Sequence, residues 1–383
     1  MPGKQPKVAI VHYWLVSMRG GEKVVDQLVR VFPQADIFTL VCLPERLSEA
    51  IRSRPIKTSF LQKLPKATSL YQNFLPLMPL AIEQFDLAGY DIVISSDASV
   101  AKGAVTGPDT LHINYCHSPM RYAWDMYHDY MEGLGLGRLK KIAMAITMNY
   151  MRMWDVAASN RVDLFVANSE FVKGRIRKHY RREADVINPP VDVDGFTPQG
   201  EPGDFYLILG QIIPYKRIDV AVDAFNRSGR KLIIIGEGSE VARLKAMAGP
   251  NVSLIGHQPF DVIRDHYRRC KAFIFPGVED FGITPLEAQA SGRPVLAYRG
   301  GGALETVLEG KTGLFFEEQT AESLNGAVDR FERGDHAIDP QACVANAARY
   351  SESRFCERIG SYVLKAWDEH RMRTMAPSGK EVA

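Results

Sequence analysis

The segment Pro276-Gly277-Val278-Glu279-Asp280-Phe281-Gly282-Ile283-Thr284-Pro285-Leu286-Glu287, continued by Ala288-Gln289-Ala290-Ser291-Gly292, decides how the rest of the chain is read. Ahead of it, the apolar run Lys271 to Phe275 reads as a buried strand. Thr284-Pro285-Leu286-Glu287 has the form of a capping box, with Thr at the N-cap, Pro at the first helical position and Glu at the third. Ser291-Gly292 stops the predicted helix, and Pro294 to Tyr298 opens another strand. Glu279 and Glu287 thus flank a helix start at the carboxyl end of a strand, which is where open α/β sheets bind ligands and where phosphate is favoured. Locally, two readings stay open: Glu287 as a capping residue only and Glu279 as a loop charge only, or both as ligand contacts.

The 383 residues are enough for two or three domains with sizeable cores. A hydrophobic content of 46% and a charged content of 24% are ordinary for a soluble globular chain. The formal net charge of +2 gives no overall field toward nucleic acid, so none is expected as a partner. Five scattered cysteines form no C-x-x-C pair, which suggests neither a disulfide framework nor a thiolate metal site and fits a reducing, cytoplasmic setting. Val8 to Val11 begin a strand instead of a long apolar leader, so no secretory signal is expected. No run approaches the roughly 20 apolar residues needed to span a bilayer.

Working outward, apolar strands alternate with amphipathic helical segments, the pattern of a parallel sheet wrapped by helices. In the first half, strands are expected at Lys7–His12, Asp36–Leu40, Asp91–Ser95, Leu111–Tyr115, Asp163–Ala167 and Ala184–Asn188. Gly20-Gly21-Glu22 is expected in the loop after the first strand, before a helix with Val24, Val25, Leu28 and Val31 on its apolar side. Pro189 to Asp204, with four prolines and three glycines, is the expected linker. A second alternation follows, with strands at Phe205–Leu209, Lys231–Ile235, Val252–Ile255, Ala272–Phe275, Val295–Tyr298 and Gly313–Phe316. Phe355 to about Trp367 reads as an amphipathic helix, with fraying expected from Ala376.

On these residues the chain resembles the retaining glycosyltransferases of the GT-B fold, glycosyltransferase family 4, over nearly its whole length. Glu279, Phe281-Gly282 and Glu287 look like that family's E-x7-E motif, and Gly20-Gly21-Glu22 like its glycine loop. Gly210 to Arg217, Asn114 to Pro119 and Asn168 to Val172 match further landmarks, while Arg121-Tyr122-Ala123-Trp124-Asp125 is similar to a subgroup dominated by bacterial mannosyltransferases of surface-polysaccharide assembly. The resemblance implies an α/β GT-B architecture, two Rossmann-like domains with parallel sheets facing across a cleft. It implies an acceptor-binding domain over 1–190, joined by the C-terminal helix 355–375, and a donor domain over 199–354.

The resemblance also implies roles. Negative charge grows on a departing nucleotide diphosphate, and stabilising it is the main task. Lys216 and Arg217 would supply cations, the helix at Thr284 oriented amides, and Gly20 and Gly21 close backbone approach. Glu287 would hold the ribose and Glu279 the donor sugar, with backbone amides from Phe281, Gly282 and Ile283. His117 would lie across the cleft near the reaction centre, and Arg121, Tyr122 and Trp124 on the acceptor side. His257 falls in the segment expected to read the base. Gln211 stands where the family usually has Arg and Arg217 where glycine is common, so Arg217 is expected to compensate.

Other features are weaker. Gly236-Glu237-Gly238 lacks the third glycine of a dinucleotide fingerprint and reads as a tight turn. Asp192-Val193-Asp194 lies in the linker, so no metal and no cofactor are expected. Lys173 to Arg182 carries six basic residues and reads as a solvated face or a membrane-facing one. With the cations between Arg52 and Lys66, the greasy Phe74–Leu80 patch and the helix opening at Arg138, it leads to an expectation of peripheral binding to the inner, anionic face of the cell membrane. The resulting expectation is transfer of a hexose, mannose from GDP-mannose, to a lipid-diphosphate-linked glycan in bacterial surface-polysaccharide synthesis. UDP-glucose or UDP-N-acetylglucosamine are the alternative donors, and a sugar-nucleotide epimerase or a non-catalytic sugar-nucleotide-binding subunit are the rival functions.

Overall fold

The computed structural model describes residues 5–128 and 137–375. It forms two compact units, Met1–Pro189 with Phe355–Ala383, and Pro190–Arg354. The frayed end expected from Ala376 lies outside the described residues.

The first unit runs β1 (Val8–His12), α1 (Gly20–Val31), β2 (Asp36–Thr39), β3 (Ile56–Thr58), β4 (Ile92–Asp97), β5 (Leu111–Cys116), α2 (Arg138–Ser159), β6 (Leu164–Ala167), α3 (Glu170–Tyr180) and β7 (Ala184–Val186). Its seven strands pair in parallel in the order β3-β2-β1-β4-β5-β6-β7. All of β1, β4 and β5 is buried, as expected for central parallel strands covered on both faces. β3 has no counterpart among the expected strands, because this three-residue edge strand carries Lys57 and is mostly exposed.

Two expectations about this unit are corrected. Gly20 and Gly21 are not in a loop but form the first turn of α1, where the Glu22 carboxylate accepts from the Arg19 N–H at 3.1 Å. Only part of the basic run Lys173 to Arg182 faces outward, with Arg177, Lys178 and Arg181 exposed. Arg175 is buried and holds Ser118 and Asp125, and Arg182 donates to the carbonyls of Ser159, Val162 and Asp163.

The second unit contains β8 (Tyr206–Leu209), α4 (Ile218–Ser228), β9 (Leu232–Ile235), β10 (Val252–Gly256), α5 (Phe260–Arg269), β11 (Phe273–Phe275), α6 (Ile283–Ala290), β12 (Val295–Tyr298), β13 (Gly313–Phe316), α7 (Ala321–Arg333) and α8 (Pro340–Ala348). Its six parallel strands lie in the order β10-β9-β8-β11-β12-β13. The Pro-rich linker largely belongs to this unit's fold: the Val191 N–H bonds the Tyr350 carbonyl at 2.9 Å, and Phe196 is buried in the core. Asp192 accepts from the Gly195 N–H at 2.9 Å, so the DxD sequence builds a local turn.

The chain then returns through α9 (Glu352–Met375). Phe355, Ile359, Val363 and Ala366, spaced for one helical face, are buried in the core that α1 and β1 share. All five cysteines are free, and Cys116, Cys270 and Cys343 are fully buried.

Candidate functional site

Both sheets reverse winding direction once, between β1 and β4 in the first unit and between β8 and β11 in the second. Strand carboxyl ends at such a reversal leave a crevice.

In the second unit that point brings together the loops after β8 and β11. Lys216 Nζ lies 2.8 Å from Glu279 Oε1, both largely shielded from solvent. Three glycines explain the approach. A Cβ on Gly277 would stand 2.7 Å from Lys216 Cα, one on Gly210 2.8 Å from Lys216 Nζ, and one on Gly236 1.8 Å from the Gly210 carbonyl oxygen. Gly210 and Gly236 also have φ of +148° and +145°, which only glycine adopts readily. Gly236 is thus a tight turn that lets neighbouring loops meet. The Gly301-Gly302 turn packs the same way on the 279–281 backbone, with the Gly302 N–H bonding the Glu279 carbonyl at 2.8 Å. Beside it, Arg299 is committed to ion pairs with Glu309 and Glu317.

The expected capping box is not formed. α6 starts at Ile283, with Gly282 as N-cap at φ +100° and no side-chain cap; Thr284 and Pro285 lie inside the first turn. Glu287 is instead held by Tyr267 of α5, whose buried hydroxyl donates to Glu287 Oε2 at 3.0 Å. Burial, with the Glu287 charge beside it, pushes the Tyr267 hydroxyl well above the usual tyrosine range, so it remains a donor. Phe281 is buried against Tyr350. Arg217, at φ +50°, reaches Asp219 at 3.4 Å and the Gln319 side chain at 3.3 Å; Gln319 in turn donates to the Pro276 carbonyl at 2.8 Å. Gln211 lies two residues past the end of β8, and His257 sits exposed just past the edge strand β10.

In the first unit the reversal gathers His12, Ser96 and His117. His12 Nδ1 lies 2.9 Å from the Ser96 carbonyl oxygen; a carbonyl only accepts, so the proton is on Nδ1. Ser96 Oγ is 2.8 Å from His117 Nε2 and 3.2 Å from His12 Nδ1. Burial lowers His12 to about 3 and His117 to about 4, against a partial raising influence of Asp97, so both imidazoles are neutral near pH 7. Gly21 stands against this group: a Cβ there would be 2.9 Å from Tyr13 Oη and 3.6 Å from His117 Nε2.

A buried ion cluster braces the loop after β4. Lys102 Nζ lies 2.8 Å from Asp97 and 2.6 Å from Asp155, with all three side chains fully buried. Burial favours the neutral amine, but the two carboxylates outweigh it and hold the Lys102 pKa well above the ordinary range. Asp155 also accepts from Trp124 Nε1 at 2.8 Å and from the Tyr180 hydroxyl at 2.9 Å. Trp124 is therefore tied into the scaffold. Tyr122, by contrast, lines a cavity with its hydroxyl 2.8 Å from Ser99 Oγ, and Arg121 opens the turn that carries both aromatics. The sequence pattern assigns no site role to Lys102, Tyr267, Gln319, Gly210 or Gly277. Of these, only Gly210 and Gly277 had a local signal, each following an apolar strand.

The molecule is thus a pair of doubly wound Rossmann-like units, each with a polar group at its winding reversal and, in the second, a Lys–Glu pair backed by glycine turns. Residues 18–194 match the model described as Glycosyltransferase Family 4, and residues 196–350 the one described as Glycosyl transferases group 1. The chain belongs to the family 4 glycosyltransferases of the GT-B fold. It is 27% identical over 172 residues to an uncharacterised glycosyltransferase of Methanocaldococcus jannaschii, covering 44% of this chain and 49% of that one. It is 28% identical over 218 residues to a GDP-mannose-dependent alpha-(1-6)-phosphatidylinositol monomannoside mannosyltransferase of Mycolicibacterium smegmatis, covering 49% of this chain and 56% of that one. The chain spans about half the length of these curated relatives. Among solved structures it shares its fold with Anabaena HepE, crystallised with UDP and glucose, at a TM-score of 0.69 and 15% identity over 94% of this chain and 100% of that one.

Proposed function

We propose that the chain is a metal-independent, retaining hexosyltransferase that moves mannose from GDP-mannose to a lipid-diphosphate-linked glycan of bacterial surface-polysaccharide assembly. The observation that carries this reading is the Lys216–Glu279 pair, 2.8 Å apart at the winding reversal of the second unit. The bond from the anomeric carbon to the β-phosphate oxygen breaks, and the acceptor oxygen bonds that carbon on the same face. The acceptor proton passes to the departing phosphate. Lys216 meets the charge that grows on the diphosphate, and the first turn of α6 offers its amides there. Glu279 holds the hexose hydroxyls and Glu287 the ribose, while neutral His117 offers a hydrogen bond to the sugar or acceptor without adding charge. The mannose assignment draws on the subgroup likeness of Arg121 to Asp125 and on the mycolicibacterial relative.

The acceptor is assigned to the first unit. No helix among the described residues is long and apolar enough to cross a membrane. α2, however, exposes Leu139, Ile142, Ile146, Tyr150 and Met153 along one stripe, beside Arg138, Lys140 and Lys141. A helix apolar on both faces is ordinarily covered on both, and such a stripe with flanking cations suits an anionic bilayer surface.

A mass-spectrometric screen of GDP-mannose, UDP-glucose and UDP-N-acetylglucosamine against a lipid-diphosphate disaccharide tests donor, reaction and acceptor together. Glu279→Gln is expected to lower turnover by about a hundredfold or more while nucleotide binding persists. Sugar-nucleotide conversion without acceptor would identify an epimerase instead. Binding without turnover in the unaltered protein would identify a silent subunit.

A further inference from the structure

Beside the His12–His117 group, the first unit holds a half-open cavity of ≈ 410 Å³ whose lining includes Tyr122. Its walls come from five separate stretches. Tyr13 and Trp14 follow β1, Ala98 and Ser99 follow β4, and Leu75 and Met78 come from the turn-rich segment between β3 and β4. Tyr122 and Tyr127 close one side, and Met144 and Met148 of α2 close another. Among the described residues the lining carries no charged side chain; its polar groups are hydroxyls, the Trp14 indole and the amides of Gln72 and Asn73. Aromatic faces with flexible thioethers make an adaptable apolar surface, and a few neutral polar groups orient what enters.

Two of the elements that line the cavity also form the exposed apolar surface. α2 contributes Met144 and Met148 inward and Ile142, Ile146 and Met153 outward, on opposite helical faces. The segment that contributes Leu75 and Met78 inward exposes Leu77 and Leu80. An apolar chain leaving a bilayer at this surface therefore meets an apolar interior within the width of a single element.

We infer that this cavity receives the alkyl or prenyl chain of an amphiphilic acceptor at its junction with the polar head. The inference rests on the proposed transfer to a lipid-borne acceptor; the diphosphate and glycan of that acceptor lie outside the cavity, whose described lining carries no cation. The end of the chain nearest the head then lies toward the rim amides and Ser99, and the rest of it toward Met144 and Met148.

Isothermal titration calorimetry on the full chain with octyl α-mannoside, below its micelle-forming concentration, and with methyl α-mannoside tests the assignment without any donor. Octyl mannoside is expected to bind saturably and at least about tenfold more tightly than methyl mannoside. Leu75→Trp fills the cavity from a partly exposed position and is expected to weaken octyl mannoside by about tenfold or more with its melting temperature preserved. Leu139→Ser, on the outward stripe, is expected to bind it like the unaltered protein. Equal affinity for the two mannosides, unaltered binding by Leu75→Trp, or loss of binding in Leu139→Ser would each overturn the inference. A protein that binds octyl mannoside through Leu75 but transfers no sugar upholds the cavity and removes the transferase reading; transfer without such binding does the reverse.

Discussion

At Tyr267 one hydroxyl helps fix how Glu287 is presented. Glu287 lies inside α6, and each hydrogen bond its carboxylate accepts before a ligand arrives narrows the rotamers whose ordering would count against binding. Tyr267→Phe removes one hydrogen bond to a charged acceptor, worth about 1.5–3 kcal/mol. We expect a donor KM about tenfold higher with kcat little changed, and a weakened preference for ribose over 2′-deoxyribose in the nucleotide; steady-state kinetics with both nucleotides check this. Arg217 makes the opposite trade. Its backbone is left-handed, costing about 1–2 kcal/mol for a side chain with a Cβ, yet the position holds arginine. Arg217→Gly is expected to raise the melting temperature while weakening GDP binding. A variant that binds GDP as tightly as the unaltered protein would remove Arg217 from the diphosphate site and leave only its contacts to Asp219 and Gln319.

Among elements, α6 and α2 show how far local pattern reaches. All six strands of the second unit were legible, because each is an apolar run bounded by turn residues. The start of α6 was not. Thr284-Pro285-Leu286-Glu287 satisfies a local capping rule, but Gly282 can adopt φ +100° and begins the helix two residues earlier, while Tyr267, twenty residues upstream, claims the Glu287 carboxylate. Long-range partners of this kind leave no periodic trace. The same holds for Arg175 and Arg182, whose inward bonds cannot be told by spacing from solvated charges. For α2 the sequence showed apolar content, and the structure adds which half of it is uncovered. Ile146 is 67% exposed, so Ile146→Asp should fold normally. We expect the unaltered protein to pellet with anionic liposomes, less so as salt rises, and the variant to stay in the supernatant. Equal pelleting of the two would assign the stripe another role.

For the whole molecule, three buried histidines set the response to acid. Burial lowers His12 to about 3 and both His112 and His117 to about 4. Their pKa values are lower folded than unfolded, so below about pH 6.5 the unfolded chain takes up protons that the native one refuses. Stability is therefore lost as pH falls from about 6.5 toward 4, at about 1.4 kcal/mol per pH unit for each such group. Melting temperatures across this range should fall steeply, and less steeply in His112→Gln. Identical slopes would place the histidines' burial in doubt.

The buried thiols give the two units separate clocks. Cys116 ends β5 in the first unit, and Cys270 and Cys343 lie within the second, all with negligible exposure. Burial pushes Cys116 far above the ordinary thiol range and Cys270 and Cys343 up to about 12, so the native chain presents almost no thiolate at these three sites. An alkylating reagent can reach each sulfur only when the packing that buries it opens. Peptide-resolved alkylation over time would read how often each half comes apart, and whether bound nucleotide quiets one half or both.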